Sequence, residues 1–251
     1  MPRLQSLALP PALPSELLTY VLAHQAHPTT LIICQPRSNF LTSLLNSIDQ
    51  TSPISNPSAT DDPSSAPAEP SPVHPLLIPT LHQIATSRSV KVVFIPTVSH
   101  LRAYLAAFGE EDRVALPVPQ FEKQGKNSPL IVVYGLVGLH RDTSEWSAQG
   151  LGNSVSALVE VGERCGRRVV CFEEREDEIS GDLQELEDEE EEIESRRWKE
   201  VCKVWEQRVP MLNGSVRRAG MGSEDEAWSG RTIEAGRIFG RWFRFEKADW
   251  V

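Results

Sequence analysis

His140, Asp142 and Ser144 fall within five residues, shortly after the most apolar stretch of the chain, Pro129 to Tyr134. A histidine, a carboxylate and a hydroxyl are the parts of a nucleophilic hydrolase, and the carboxyl end of a buried strand is where α/β enzymes assemble them. Their adjacency argues the other way, because triads gather from distant chain positions and no GxSxG elbow is present to expose the serine. His24 and His27 stand three apart near a predicted helix end, but no Cys, Asp or Glu beside them completes a metal set, so they read as histidines facing the helix dipole. Cys34, Cys165, Cys171 and Cys202 form no CxxC pair, which fits a reducing compartment, and Cys165 and Cys171 read as small buried hydrophobes. These groups assign no catalytic residue, no cofactor and no metal.

The elements that would position any site follow from hydrophobic period. Leu17, Leu18, Val21 and Leu22 share a helical face after Pro14-Ser15-Glu16, with Ser15 as the N-cap. Thr30 to Cys34 is a wholly apolar strand of the kind buried on both faces of a parallel sheet. Phe40, Leu41, Leu44, Leu45 and Ile48 mark a second amphipathic helix. The alternation then repeats: a helix over 76–87, a strand over 90–95, a helix over 97–108, a strand over 129–134, a polar loop with Trp146 and Gly150, a helix over 153–165 and a strand over 168–172. Strands and helices in this order predict a mainly parallel sheet with right-handed crossovers. Residues 209–216 and 237–245 alternate as half-exposed strands do, and are expected to close the sheet as an antiparallel pair.

The chain has 251 residues and a net charge of −10, a balance that ordinarily counts against nucleic acid. The acidity is local. Between Glu173 and Glu194 fourteen Asp or Glu face the single Arg175, a charge of −13, which leaves +3 for the rest. From Arg196 to Val251 twelve Lys or Arg outnumber eight Asp or Glu. Residues 173–195 are therefore read as a solvated acidic insertion. Residues 51–75 hold seven prolines and almost no apolar side chains, and are read as a disordered insertion. No run approaches the roughly 18 apolar residues of a membrane span, and the start Met1-Pro2-Arg3 does not read as a secretory leader. The division expected is a partner-docking segment over 1–13, apolar and proline-rich, followed by one domain over 14–251.

The order of these elements resembles the RecA-type recombinase core, in particular the small divergent recombinase paralogues of eukaryotes. The strand, turn and helix from Leu31 to Ile48 resemble the phosphate-binding unit, 130–172 resembles the metal-supporting strand and its successors, and the C-terminal part resembles the closing hairpins. The fold implied is α/β, a RecA-like core with a mainly parallel central sheet closed by C-terminal antiparallel strands, and with a degenerate nucleotide site. Degeneracy is visible in the residues. Gln35-Pro36-Arg37-Ser38-Asn39-Phe40-Leu41-Thr42 has no glycine to bring amides to a phosphate and no lysine, and its proline removes a donor. Tyr134-Gly135 stands where the resemblance expects a magnesium-supporting Asp.

The resemblance implies a non-catalytic subunit of the Shu-complex kind, assisting homologous recombination and DNA repair in the nucleus, with another RecA-like paralogue or a SWIM-type protein as partner. It also implies weak DNA contact, for which Arg141, Trp146, Arg217, Arg218 and Arg231 are the candidates, since cations neutralise phosphates and an aromatic can stack on an unpaired base. Beside a pure scaffold with no nucleic-acid contact, two alternatives remain open. One is a RecA-like accessory subunit of the Elongator complex, acting in tRNA wobble-uridine modification. The other is a small-molecule α/β enzyme, which would need converging polar groups at the strand ends Gln35, Pro96, Gly135 and Glu173.

Overall fold

A computed structural model describes residues 5–24, 28–51, 73–109, 128–175, 202–212 and 231–247. The elements in chain order are β1 (Ser6–Ala8), α1 (Pro14–His24), β2 (Thr29–Ile33), α2 (Arg37–Thr51), a 3₁₀ turn (Pro75–Leu77), α3 (Leu81–Ser87), β3 (Val90–Phe94), α4 (Val98–Ala107), β4 (Leu130–Tyr134), α5 (Leu136–His140), α6 (Ala148–Arg164), β5 (Arg168–Phe172), α7 (Lys203–Glu206), β6 (Arg208–Pro210), β7 (Thr232–Glu234), α8 (Ala235–Phe239) and β8 (Phe243–Phe245). Six strands form one sheet in the order β3-β2-β4-β5-β1-β8, every pair parallel, and β6 pairs antiparallel with β7. The expected α/β class, a parallel central sheet with an antiparallel pair from the C-terminal part, is the one adopted.

Strand period divides the core into two layers. Along β4, Leu130, Val132 and Tyr134 join the cluster of Leu17, Val21 and Phe40 from α1 and α2, while Ile131 and Val133 join Leu101 of α4 and Leu158 of α6. Both faces of the sheet are thus covered, which is why β2 and β4 are buried at every position. Tyr134 is the largest fully buried side chain, and its hydroxyl donates to the Ala12 carbonyl oxygen at 3.0 Å. Tyr134→Phe is expected to cost about 1 kcal/mol in urea unfolding, the usual net worth of a buried hydrogen bond.

The chain start departs from expectation. Ser6–Ala8 is an interior strand between β5 and β8, and Leu7, Leu9 and Ala12 are buried in this molecule's own core. The apolar residues assigned to a partner are spent internally, because both edges of β1 are paired. Ser15 lies inside α1 rather than capping it: Pro14 opens the helix, and Glu16 accepts from the Leu13 amide at 2.8 Å. The helix expected over 76–87 breaks at Pro79, and Thr80 caps α3 reciprocally with Gln83. Residues 237–245 are not one strand. Ala235, Ile238 and Phe239 are buried at helical spacing in α8, and only Phe243–Phe245 is extended, added to β1 in parallel. The antiparallel partner of 208–210 is therefore Thr232–Glu234. Both expected insertions have ends that belong to the fold: Thr51 closes α2, Pro75 opens the 3₁₀ turn, and Glu173 is buried. Their middles, 52–72 and 176–195, lie outside the described residues, as do His27 and 213–216. Among the described residues no helix is long and apolar enough to cross a membrane.

Candidate functional site

In the sheet, β2 is followed by a connection toward β3 and β4 by one toward β5, so a crevice opens between their carboxyl ends, where open parallel sheets bind ligands. A cleft of about 620 Å³ lies there, lined among others by Gln35, Pro96, Gly135, Arg141, Glu173 and Arg175. The four strand ends that the enzyme alternative required come together in it.

Gly135 sets the geometry of one wall. Its φ of 78° and ψ of 34° turn the chain from β4 directly into α5, a left-handed conformation that a side chain disfavours. The turn aims the first amides of α5 at Glu173, which follows β5. Glu173 Oε1 accepts from the Val137 amide at 2.9 Å and Oε2 from the Gly138 amide at 3.4 Å. With 2% of its surface exposed, the carboxyl is pushed up to about 8 by burial, against the pull of those amides and of Arg141. The sequence places Glu173 at the head of a solvated acidic tract. It is instead a core residue, because its carboxyl group satisfies the first amides of α5, which have no other acceptor among the described residues.

The segment joining β1 to α1 passes behind this wall, and its backbone can be accounted for donor by donor. Leu9 N–H donates to Cys171 O at 2.9 Å, Ala12 N–H to Glu173 O at 2.9 Å, and Leu13 N–H to Glu16. Pro10, Pro11 and Pro14 carry no N–H. Every amide from 9 to 14 is either absent or committed. Arg175 locks the arrangement, donating through Nη2 to Glu16 Oε1 at 2.7 Å. This second strand–loop–helix was missed in the sequence because β1 is only three residues long. Its signal was the apolar run Leu7-Ala8-Leu9 ahead of an amphipathic helix.

At the β2 end, where the phosphate-binding unit was expected, only Gln35 and Pro36 separate Cys34 from α2. Cys34 N–H donates to Tyr134 O at 2.9 Å, and Phe40 N–H to Pro36 O at 3.2 Å. Arg37 is exposed. A turn this short has no span with which to wrap a phosphate.

His140 is fully buried and faces α6. Its Nδ1 meets Leu136 O and its Nε2 meets Ser154 Oγ, both at 2.9 Å. A carbonyl only accepts, so Nδ1 carries the proton and Ser154 donates to Nε2. Burial holds the ring pKa below its ordinary value, so the imidazole is neutral. Asp142 and Ser144 are exposed, and His140 is turned from both toward Ser154. His24 stacks on Tyr20 at 5.2 Å between ring centres. Cys171 is buried, as read, and Cys165 is half-buried. Among the described residues no three His, Cys, Asp or Glu side chains gather at a metal-binding spacing.

The candidate nucleic-acid residues separate. Arg141 is half-buried and lines the cleft. Trp146 is half-buried, packed against the core cluster that includes residues of α4 and α6. Arg231 is exposed at the start of β7, and its carbonyl accepts from Met211 N–H at 2.8 Å. Arg217 and Arg218 lie outside the described residues. Leu212, the described residue that precedes them, is tied to α6, where Gln149 exchanges hydrogen bonds with its backbone at 3.0 and 3.1 Å.

No protein-family model matches the chain, and no curated protein does. Among solved structures it is similar to a DnaB-like replicative helicase studied with primase, at 8% identity and a TM-score of 0.35. That similarity covers 92% of this chain and 55% of the helicase chain, so this chain spans about half the helicase's length.

Proposed function

We propose that the chain is a non-catalytic RecA-like subunit of a hetero-oligomer that assists homologous recombination, contacting DNA weakly and stabilising a recombinase filament. One observation carries the reading: at two of the strand–loop–helix junctions, β1 to α1 and β2 to α2, the amides are missing, spent or too few. From 9 to 14 they are bonded internally or replaced by proline, and after β2 the turn is too short. The first amides of α5, a third place for an anion, are taken by Glu173. Calorimetry of the purified chain with ATP and Mg²⁺ is expected to show no binding heat. Micromolar binding that depends on Mg²⁺ would sink the reading.

DNA contact in this reading falls to Arg141 on the cleft and to Arg217 and Arg218. Replacing Arg217 and Arg218 by Ala is expected to weaken DNA binding of the assembled complex and to lower its salt slope by about 1 for each phosphate no longer neutralised. An unchanged affinity and slope removes that segment from the account. Affinity purification from the native cell separates the recombination role from the Elongator one, by recovery of a recombinase paralogue or of Elongator subunits. The enzyme alternative has a titrating group in the cleft, Glu173, whose two oxygens are already engaged.

A further inference from the structure

We propose that the cleft at the carboxyl ends of β2, β4 and β5 is a binding site for a small organic dicarboxylate, held between Arg175 and Gln35. The assignment goes beyond the recombination reading and gives the cleft a ligand rather than a reaction. Two donors carry it. Arg175 spends Nη2 on Glu16 Oε1 at 2.7 Å, and only 10% of its side chain is exposed. Its Nη1 is buried and has no acceptor among the described residues, and the same holds for Nε2 of Gln35. Both residues line the cleft. A buried donor without an acceptor is costly, most of all on a charged group, and native structures seldom leave one. Here two of them stand on one cavity.

The fold sets them on opposite sides of an open floor. Gln35 comes two residues after β2 and Arg175 three after β5, and β4 runs between these strands. At the end of β4 stands Gly135, where no side chain rises between them, and an added Cβ would meet nothing closer than Cys34 Cβ at 4.0 Å. Two strand spacings separate β2 from β5, roughly 10 Å. A short dicarboxylate covers that span, and a cleft of about 620 Å³ has room for it.

Charge chooses the class of guest. Nη1 and Nε2 can only donate, so the guest must present acceptors. Among the charged lining residues Arg141 and Arg175 stand against Glu174 alone, since burial raises Glu173 to about 8 and leaves it mainly protonated at neutral pH. The small positive excess suits an anion of low charge. A carboxylate matches a guanidinium in shape and charge, and a second one accepts from the Gln35 amide. A nucleoside triphosphate is a poor guest, because the first amides of α5, which a phosphate would use, are taken by Glu173.

Calorimetry of the full chain with succinate, glutarate and adipate, at an ionic strength held constant with sodium chloride, tests the assignment. At least one of the three is expected to bind saturably at a single site per chain. Gln35→Leu, which loses no bond made by Nε2, is expected to weaken that binding about tenfold. Arg175→Lys is expected to weaken it about tenfold or more, with far-UV circular dichroism checking that the altered Glu16 contact has left the chain folded. If that variant does not fold, Gln35→Leu decides alone. Arg37→Ala, exposed at the start of α2 and outside the cleft lining, is expected to bind as the wild type does. Saturable binding by none of the three dicarboxylates, an unchanged affinity in Gln35→Leu, or an equal affinity for inorganic phosphate overturns the proposal.

Discussion

Glu173→Gln is expected to abolish a large part of the pH dependence of stability between about pH 4.5 and 8. The carboxyl of Glu173 is raised from 4.5 to about 8 by burial. Across that window the folded chain holds a proton that the unfolded chain has released, so each rise in pH favours the unfolded chain. The contribution is therefore fully present below pH 4.5, falls as pH rises and is lost above 8. With about 1.4 kcal/mol per pKa step, the fall is on the order of 5 kcal/mol. Glutamine is neutral throughout and still offers one oxygen to the Val137 amide, so the difference between the two stability curves should have this shape. Wild type leads or matches the variant in acid, and the variant leads above pH 8. Urea titrations at four or five pH values measure it, and parallel curves for the two proteins would refute the assignment. Glu173→Ala is expected to destabilise through the acid and neutral range, because it orphans the amides of α5 and leaves a cavity, a loss of about 2 to 4 kcal/mol.

Gly150→Ala is expected to be the most damaging single methyl addition in the chain's central part. A Cβ at Gly150 would stand 2.3 Å from the Glu145 carbonyl oxygen and 3.1 Å from its carbon, which are backbone atoms unable to rotate away. The first turn of α6 is pinned by Ser147, whose hydroxyl accepts from Gly150 N–H at 3.0 Å. Glu145 is held from the other side by Arg102 at 2.6 Å. Something in the 141–147 connection must move, at a cost of about 1 to 3 kcal/mol and a fall of roughly 2 to 4 °C in melting temperature per kcal/mol for a chain of this size. Gly138→Ala is the matched control. Nothing lies within 4 Å of its Cβ, and it sits inside α5 without a positive φ, so it should be neutral or stabilising by up to about 1 kcal/mol. Equal thermal shifts for the two variants would show that the approach of Glu145 to α6 is not tight. Because Arg141 lies in the displaced connection, Gly150→Ala should also weaken any DNA contact made there.

Periodic elements were legible where the period was long or the apolar run complete. Leu101 and Leu105 of α4, Val155, Leu158, Val159 and Gly162 of α6, and all of β4 are buried as their spacing predicts. Short elements were not. β1 has three residues and α5 five, too few for a period to show, and α8 was masked by an alternation that helical burial of Ala235, Ile238 and Phe239 overrode. The site fared accordingly. Arg141 lines the cleft, and Trp146 is half-buried against the core.

By itself the sequence determined that this is an α/β chain with a parallel sheet, that no glycine-lysine phosphate loop follows Thr30 to Cys34, and that its acidity is concentrated near one segment. Those are matters of residue type and local spacing. Only the tertiary structure decided what the first residues and Glu173 do. The apolar start became an interior strand because β5 and β8 both offered it edges, and a glutamate at the head of an acidic run became a buried acid because the amides of α5 were turned toward it. Pairing partners and helix termini arrive from distant parts of the chain, so the burial that raises Glu173 to about 8 has no local signature in the sequence.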